Sequence, residues 1–135
     1  MSLRRRRPGL VYPTWEDWHY VGDGTTGLGT TFGTDWTNVG SPWPALAFRH
    51  REAGVVDLVG VVQAGAVTTG EVFTLPASYR PTEQTFMPFI RLRSASNSGQ
   101  LLSINDAGQV VAVNSGVSGD VNYISGNFFI DTASP

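Results

Sequence analysis

The chain has 135 residues, a length typical of one domain with a single hydrophobic core. It contains no cysteine, which excludes disulfides, thiolate zinc sites and cysteine nucleophiles. No apolar run reaches the roughly 18 residues of a membrane-spanning helix, and no signal-peptide core follows the basic N-terminus, so we expect neither.

Charge divides the chain into a basic arm and an acidic body. All nine basic residues are arginines, and four of them are consecutive at positions 4–7. Without these four, the chain has five arginines and 11 acidic residues. An acidic body argues against nucleic acid as a partner of the folded domain. A short block of like charge is typical of a tail that contacts a neighbouring protein.

We expect residues 1–20 to form an extended arm and residues 21–135 to form one β-domain. The arm combines its arginines with four large aromatic residues. Such residues, in a segment with little core of its own, favour docking onto a neighbouring subunit; the alternatives are packing into the domain and contact with sugar rings. The predicted assembly contacts are Arg4, Arg5, Arg6, Arg7, Tyr12, Trp15 and Trp18.

The elements that follow the arm predict an all-β fold. The stretch 22–34 is rich in glycine and threonine and is typical of a loop or an irregular edge. Beyond it, short β-branched and aromatic runs alternate with turn residues, which predicts an antiparallel β-sandwich or barrel of about 7–9 short strands. The run 55–63 is apolar on both faces, as in a central strand. The predicted strands are, approximately, 45–51, 55–63, 71–75, 86–95, 101–105, 109–113 and 121–130.

Individual residues refine this pattern. Gly54 and Gly108 end short hairpin turns, where a positive φ is needed. Pro88 favours a strand start or an edge, because proline cannot donate to a sheet ladder. Gly126 favours a bulge or a close approach within the last strand.

No pattern in the chain predicts catalysis, a cofactor or a metal. Residues 22–27 match G-x-G-x-x-G, but the dinucleotide fingerprint needs a strand before it and a helix after it, and the following residues do not favour a helix. His19 and His50 lack partners at a known metal-ligand spacing. There is no G-x-S-x-G motif, and sequence alone cannot pair the carboxylates. We therefore expect a protein that is not an enzyme.

The segment FTLPASYRP predicts a structural corner rather than a site. Two residues end a strand, and the first proline stops the ladder because it lacks an N–H. The tyrosine ring is expected to pack inward while its hydroxyl finds a partner. The arginine can reach a carboxylate or a carbonyl, and the second proline fixes the exit. The corner residues are Phe73, Leu75, Pro76, Tyr79, Arg80 and Pro81.

The order of these elements resembles the C-terminal head-type β-domain of bacteriophage tail-fibre and baseplate proteins. It also resembles small trimeric capsid-decoration proteins. FTLPASYRP is the most specific part of the resemblance, which covers about 95 residues. The matching residues are Trp36, Phe48–Arg51, Val56–Gly60, Phe73–Pro81, Gly108–Val111 and Ile124–Ile130.

The resemblance implies a homotrimeric, non-enzymatic virion protein on the exterior of the capsid or tail. Its partners would be other copies of itself, and the major capsid protein or tail-tip proteins. A short arm with no fibre shaft before the β-module favours capsid decoration, with the arm as the attachment. The alternative is a tail-tip or tail-fibre module that binds a saccharide on the host surface. Neither reading involves a membrane or a cofactor.

Overall fold

The structure, a computed structural model, describes residues 15–52, 54–65, 70–92, 97–113 and 121–130. Within these ranges it contains nine β-strands and one single-turn 3-10 helix, so the all-β prediction is confirmed. No helix in this part of the chain is long and apolar enough to cross a membrane. The strands are β1 His19–Tyr20, β2 Trp36–Asn38, β3 Ala47–Glu52, β4 Val55–Ala64, β5 Gly70–Thr74, β6 Thr85–Leu92, β7 Asn97–Ile104, β8 Gln109–Ala112 and β9 Val121–Phe129.

These strands form one antiparallel sheet in the order β1-β3-β4-β9-β6-β7-β8-β5, with β2 paired to β4. The sheet curls, and the segment that follows β1 links its two ends. Gly22 N–H donates to Thr30 O at 3.1 Å, and Gly33 N–H donates to Val72 O at 2.7 Å. Phe32 forms an isolated bridge with Phe73 of β5. The result is a half-barrel with its core inside the curl.

β4 is a central strand, as its two apolar faces predicted. It pairs with β3 on one side and with β9 over nine residues on the other. Its inward side chains pack with aromatic residues from β3 and β5, and the Phe48 and Phe73 rings stack 5.9 Å apart. A Cβ on Gly60 would lie 2.3 Å from the Leu46 Cα, so only glycine fits where the chain crosses β4.

The two shortest strands, β1 and β2, were not predicted, because two or three residues carry no periodic signal. Pro88 lies inside β6, but pairing with β9 begins at Phe89, so among the described residues that part of β6 has its strand neighbour in β7 alone. Gly126 is a close approach, since a Cβ there would lie 2.7 Å from the Met87 methyl carbon. Residues 93–95 of the predicted strand 86–95 lie outside the described residues.

Candidate ligand cleft and the network behind it

The segment 73–81 turns the chain between β5 and β6. Phe73 in β5 and Leu75 just after the strand are fully buried, and Leu75 N–H donates to Gly108 O at 2.8 Å. Pro76 precedes the 3-10 turn Ala77–Tyr79, in which the tyrosine is buried. Arg80 Nε–H then donates to Leu75 O at 2.8 Å, which closes the corner on itself. Pro81 is buried at the exit.

A polar cleft of about 320 Å³ opens beside this corner. One wall is formed by β5 and the corner, and the other by the loop after β1. Both a carboxylate and a guanidinium lie in the first wall, and hydroxyls lie in both. This combination suits a polyhydroxylated ligand, because hydroxyls, carboxylates and guanidinium groups together supply donors and acceptors. The lining residues are Leu28, Gly29, Thr30, Thr31, Glu71, Thr74, Leu75, Pro76 and Arg80.

Local hydrogen bonds fix the polar side chains of the cleft. The Glu71 carboxylate accepts from the Thr74 hydroxyl, and at 3.4 Å from Gln109 Nε2. Arg80 packs against Gly108, which has a φ of +85°. A Cβ on that glycine would lie 2.6 Å from Arg80 Nε, so the hairpin turn and the cleft wall depend on each other.

The loop wall has its own compact set of bonds. Gly27 N–H donates to Asp23 O at 2.8 Å. Gly27 O accepts both the backbone N–H of Thr30, at 3.0 Å, and its hydroxyl, at 2.6 Å. At the tip, Leu28 and Gly29 both have positive φ, 55° and 81°. A non-glycine residue in this conformation is uncommon, so the tip depends on its surroundings to hold it.

Behind the cleft, Glu16 joins three elements. Its carboxylate accepts from the His50 backbone N–H at 2.8 Å and from the Tyr79 hydroxyl, 2.9 Å from each oxygen. Its own N–H donates to His50 O at 3.1 Å. His19 Nε2 and His50 Nδ1 each lie 3.5 Å from a Glu16 oxygen. Residue 16 is thereby fastened to β3 and to the corner.

The network shifts the pKa of both its acids. Burial raises the pKa of Glu16, but the hydrogen bonds from the His50 amide and the Tyr79 hydroxyl outweigh it and leave this pKa below its usual value. Burial, followed by the hydrogen bond to Glu16, raises the pKa of Tyr79 well above its usual value. The tyrosine therefore keeps its proton at physiological pH and acts as a donor.

The two histidines serve this network. His19 Nδ1 lies 2.8 Å from Thr26 O and His50 Nε2 lies 3.0 Å from Ser78 O. Since a carbonyl oxygen only accepts, both of these nitrogens carry hydrogen. The His50 ring also stacks on Tyr79, 4.1 Å between centroids. Among the described residues no cluster of histidine and acidic side chains has the geometry to hold a metal ion.

Trp15 and Trp18 contact the chain's own domain. The Arg49 guanidinium carbon lies 4.6 Å from the Trp15 ring centroid and 4.1 Å from that of Trp18. Asp57, largely buried, accepts from Arg49 Nε at 3.3 Å and from Arg51 Nε at 3.0 Å. The stack sits on the outer face of the sheet. The other predicted arm contacts, at positions 4–7 and 12, lie outside the described residues.

The outer face also carries exposed apolar side chains. Ile90 is 45% exposed and Phe129 68% exposed. Ile90 and Tyr123 are cross-strand neighbours in β6 and β9, and they line an apolar cleft of about 200 Å³ with Pro88. Leu101 lies opposite Pro88 in β7 and is exposed as well.

The sequence analysis named Tyr79 as a corner residue whose hydroxyl finds a partner, but it missed Glu16 and most of the cleft lining. Glu16 and Tyr79 lie 63 residues apart, and no local pattern pairs them. Glu71 and the threonines carry no motif. The one available signal was composition, since the loop 22–34 concentrates threonine and glycine beside one wall of the cleft.

Comparison with solved structures finds a similar fold in the crystal structure of the head domain of phage bIL170. That structure raised the question of a common fold for the receptor-binding domains of lactococcal phages. The TM-score is 0.55 at 15% sequence identity, over 87% of this chain and 98% of that domain. The chain has the fold of a phage head domain. No protein-family model and no curated protein matches the sequence. The head-type fold predicted by the resemblance is thus confirmed.

Proposed function

We propose that this chain is a non-enzymatic bacteriophage virion protein whose β-domain binds a saccharide on the host surface. The observation that carries the proposal is the polar cleft between the corner and the loop 28–31, on a fold shared with a phage head domain. A saccharide presents many hydroxyls, which match the threonines, Glu71 and Arg80. On this reading the protein lies at the outside of the tail.

The experiment is a glycan array of bacterial surface saccharides, combined with adsorption of the labelled protein to host cells. Thr31→Arg should fill the cleft, because Thr31 is exposed and lines it. The matched control is Thr34→Arg, three residues away, exposed and outside the lining. We expect the first variant to abolish binding and the second to keep it. Equal binding by both variants would move the site elsewhere.

The absence of catalysis is tested with the same saccharides. After prolonged incubation with the protein, each bound saccharide should keep its chain length by size-exclusion chromatography. Release of shorter products would identify a depolymerase instead.

Capsid decoration, the other reading, receives less support than receptor binding from the similarity to a receptor-binding head domain. A truncation that tests it should end at residue 14, because Trp15, Glu16 and Trp18 contact the domain. Immunogold labelling of virions separates the two readings. Gold along the tail supports receptor binding. Gold over the head, lost in the truncated protein, supports decoration.

We also propose that the domain assembles as a homotrimer through its outer face. The apolar residues of β6 and β9 are exposed in the single chain, and a contiguous apolar patch of this kind marks an interaction surface. Cyclic association would cover the patch on every copy. Sedimentation velocity gives the answer directly, since a monomer at micromolar concentration would contradict the proposal.

A further inference from the structure

His19 contacts two residues close to the cleft lining in sequence, Thr26 before the loop wall and Tyr79 in the corner. Its Nδ1–H donates to Thr26 O at 2.8 Å, on the loop side. Its Nε2 lies 3.2 Å from the Tyr79 hydroxyl oxygen, on the corner side. Thr26 is followed by Gly27, whose carbonyl holds Thr30 through two hydrogen bonds. One imidazole ring thus stands between the corner and the loop residues that line the cleft.

The ring is held in this orientation by its surroundings. His19 pairs with Phe48 in the sheet, and the two rings lie 5.4 Å apart. The Tyr79 ring meets it edge-on at 5.7 Å. Its only rotatable bonds are χ1 and χ2, and packing on two sides restricts both. The imidazole therefore acts as a stiff spacer of fixed length rather than as a flexible tether.

We propose that His19 is a positioning residue that couples the loop wall to the corner wall and so sets the width of the cleft for its saccharide. The inference rests on the proposed function. Its physical basis is preorganisation: a loop already held in its binding geometry loses less conformational freedom when the ligand arrives. The left-handed conformations at Leu28 and Gly29 make this support necessary, because such a tip does not hold itself.

Amide hydrogen exchange of the full chain tests the coupling without a ligand. Tyr79→Phe removes the hydroxyl on the corner side. We expect the Gly27 and Thr30 amides, on the loop side, to exchange about fivefold faster, the effect of one lost hydrogen bond of about 1 kcal/mol. The matched control is Tyr20→Phe, because Tyr20 follows His19 in the chain but its side chain faces outward. This variant should leave the Gly27 and Thr30 amides unchanged.

A double-mutant cycle separates positioning from a general loss of stability. His19→Asn keeps a donor near the Nδ1 position, facing Thr26, and lacks the Nε2 end. In that background Tyr79→Phe should cause no further change in loop exchange, because the connection is already cut. Equal acceleration by Tyr79→Phe in both backgrounds, or no acceleration in either, would overturn the inference.

The array of bacterial surface saccharides then reports the consequence for binding. On any saccharide bound by the wild type, His19→Asn should weaken apparent affinity about five- to tenfold, in the range of ordinary site-to-site coupling. Unchanged affinity would overturn the positioning role and leave the proposed function intact. A wild type that binds no saccharide and no host cell would refute the proposed function, while the exchange cycle would still decide the coupling.

Discussion

Replacement of Tyr79 by phenylalanine removes one hydroxyl from the centre of the Glu16 network and leaves the ring in place. The hydroxyl lies 2.9 Å from each Glu16 oxygen and 3.2 Å from His19 Nε2. A hydrogen bond to a charged group contributes about 1.5–3 kcal/mol. The Glu16 side chain is 34% exposed, so water replaces part of the lost bond. We expect the free energy of unfolding to fall by about 1–2 kcal/mol.

Urea denaturation followed by circular dichroism measures this change. The midpoint should move to lower urea with an unchanged slope, because the hydroxyl alters little of the surface exposed on unfolding. Tyr79→Ala should cost more, about 3–5 kcal/mol, since it also removes a ring that contacts Phe48 at 5.0 Å and stacks on His50. Tyr20→Phe, at a tyrosine that is equally exposed and lies outside the proposed trimer patch, is the matched control.

A second substitution identifies the partner of the hydroxyl. In a Glu16→Gln background, Tyr79→Phe should cost clearly less than in the wild type, because the charged acceptor is gone. A Tyr79→Phe variant within about 0.5 kcal/mol of wild type would refute the reasoning, since that is the scatter of neutral surface substitutions. It would mean that the network orients the segment at residue 16 without stabilising the fold.

Three further outcomes follow from the same structure. The pKa of Glu16 is depressed in the folded state, so its contribution to stability is fully present above the unfolded pKa and is lost as pH falls through the folded pKa. The difference in unfolding free energy between wild type and Glu16→Gln should therefore hold at neutral pH and shrink below about pH 4.5. Urea titrations across pH measure this difference. Gly108→Ala should lower stability by about 1–3 kcal/mol in thermal denaturation, because φ is +85° and Arg80 and Leu75 O crowd the site; Ala107→Gly in the same turn should have a much smaller effect. Ile90→Glu should dissociate the proposed trimer in sedimentation velocity, whereas Leu28→Glu, similarly exposed but in the loop of the polar cleft, should not; a trimer unaffected by Ile90→Glu would place the interface on another surface.

The sequence predicted the parts of the fold that have a periodic or conformational signature. The two apolar faces of β4 identified a central strand, and Gly108 identified a hairpin turn with positive φ. β1 was not predictable, because its two residues belong to the sheet only through pairing with β3. The strand alternation placed Arg49 and Phe48 on opposite faces of the sheet. Nothing in that alternation indicated that Trp15 and Trp18 stack on this arginine.

The candidate site was less predictable than the fold, because its residues come from separate parts of the chain. The inward ring of Tyr79 follows from its place in FTLPASYRP, whereas the identity of its partner does not. Glu16 reaches the tyrosine only because the segment before β1 runs along β3 and bonds to His50. The cleft in turn needs the curl of the sheet, which brings the loop 28–31 beside β5. Such contacts depend on tertiary geometry, which local sequence patterns do not report.

The pairing of β4 with β9 has a consequence for the timing of folding. Val55–Ala64 is an interior strand of the sheet, yet its partner on one side is Val121–Phe129. A ribosome must therefore synthesise the whole stretch up to residue 129 before the central ladder can close. Until then the apolar strand β4 has one unpaired edge, and an unpaired apolar edge promotes aggregation. We expect nascent chains that stop before β9 to need a chaperone, and release of the full chain to precede the proposed assembly into virions.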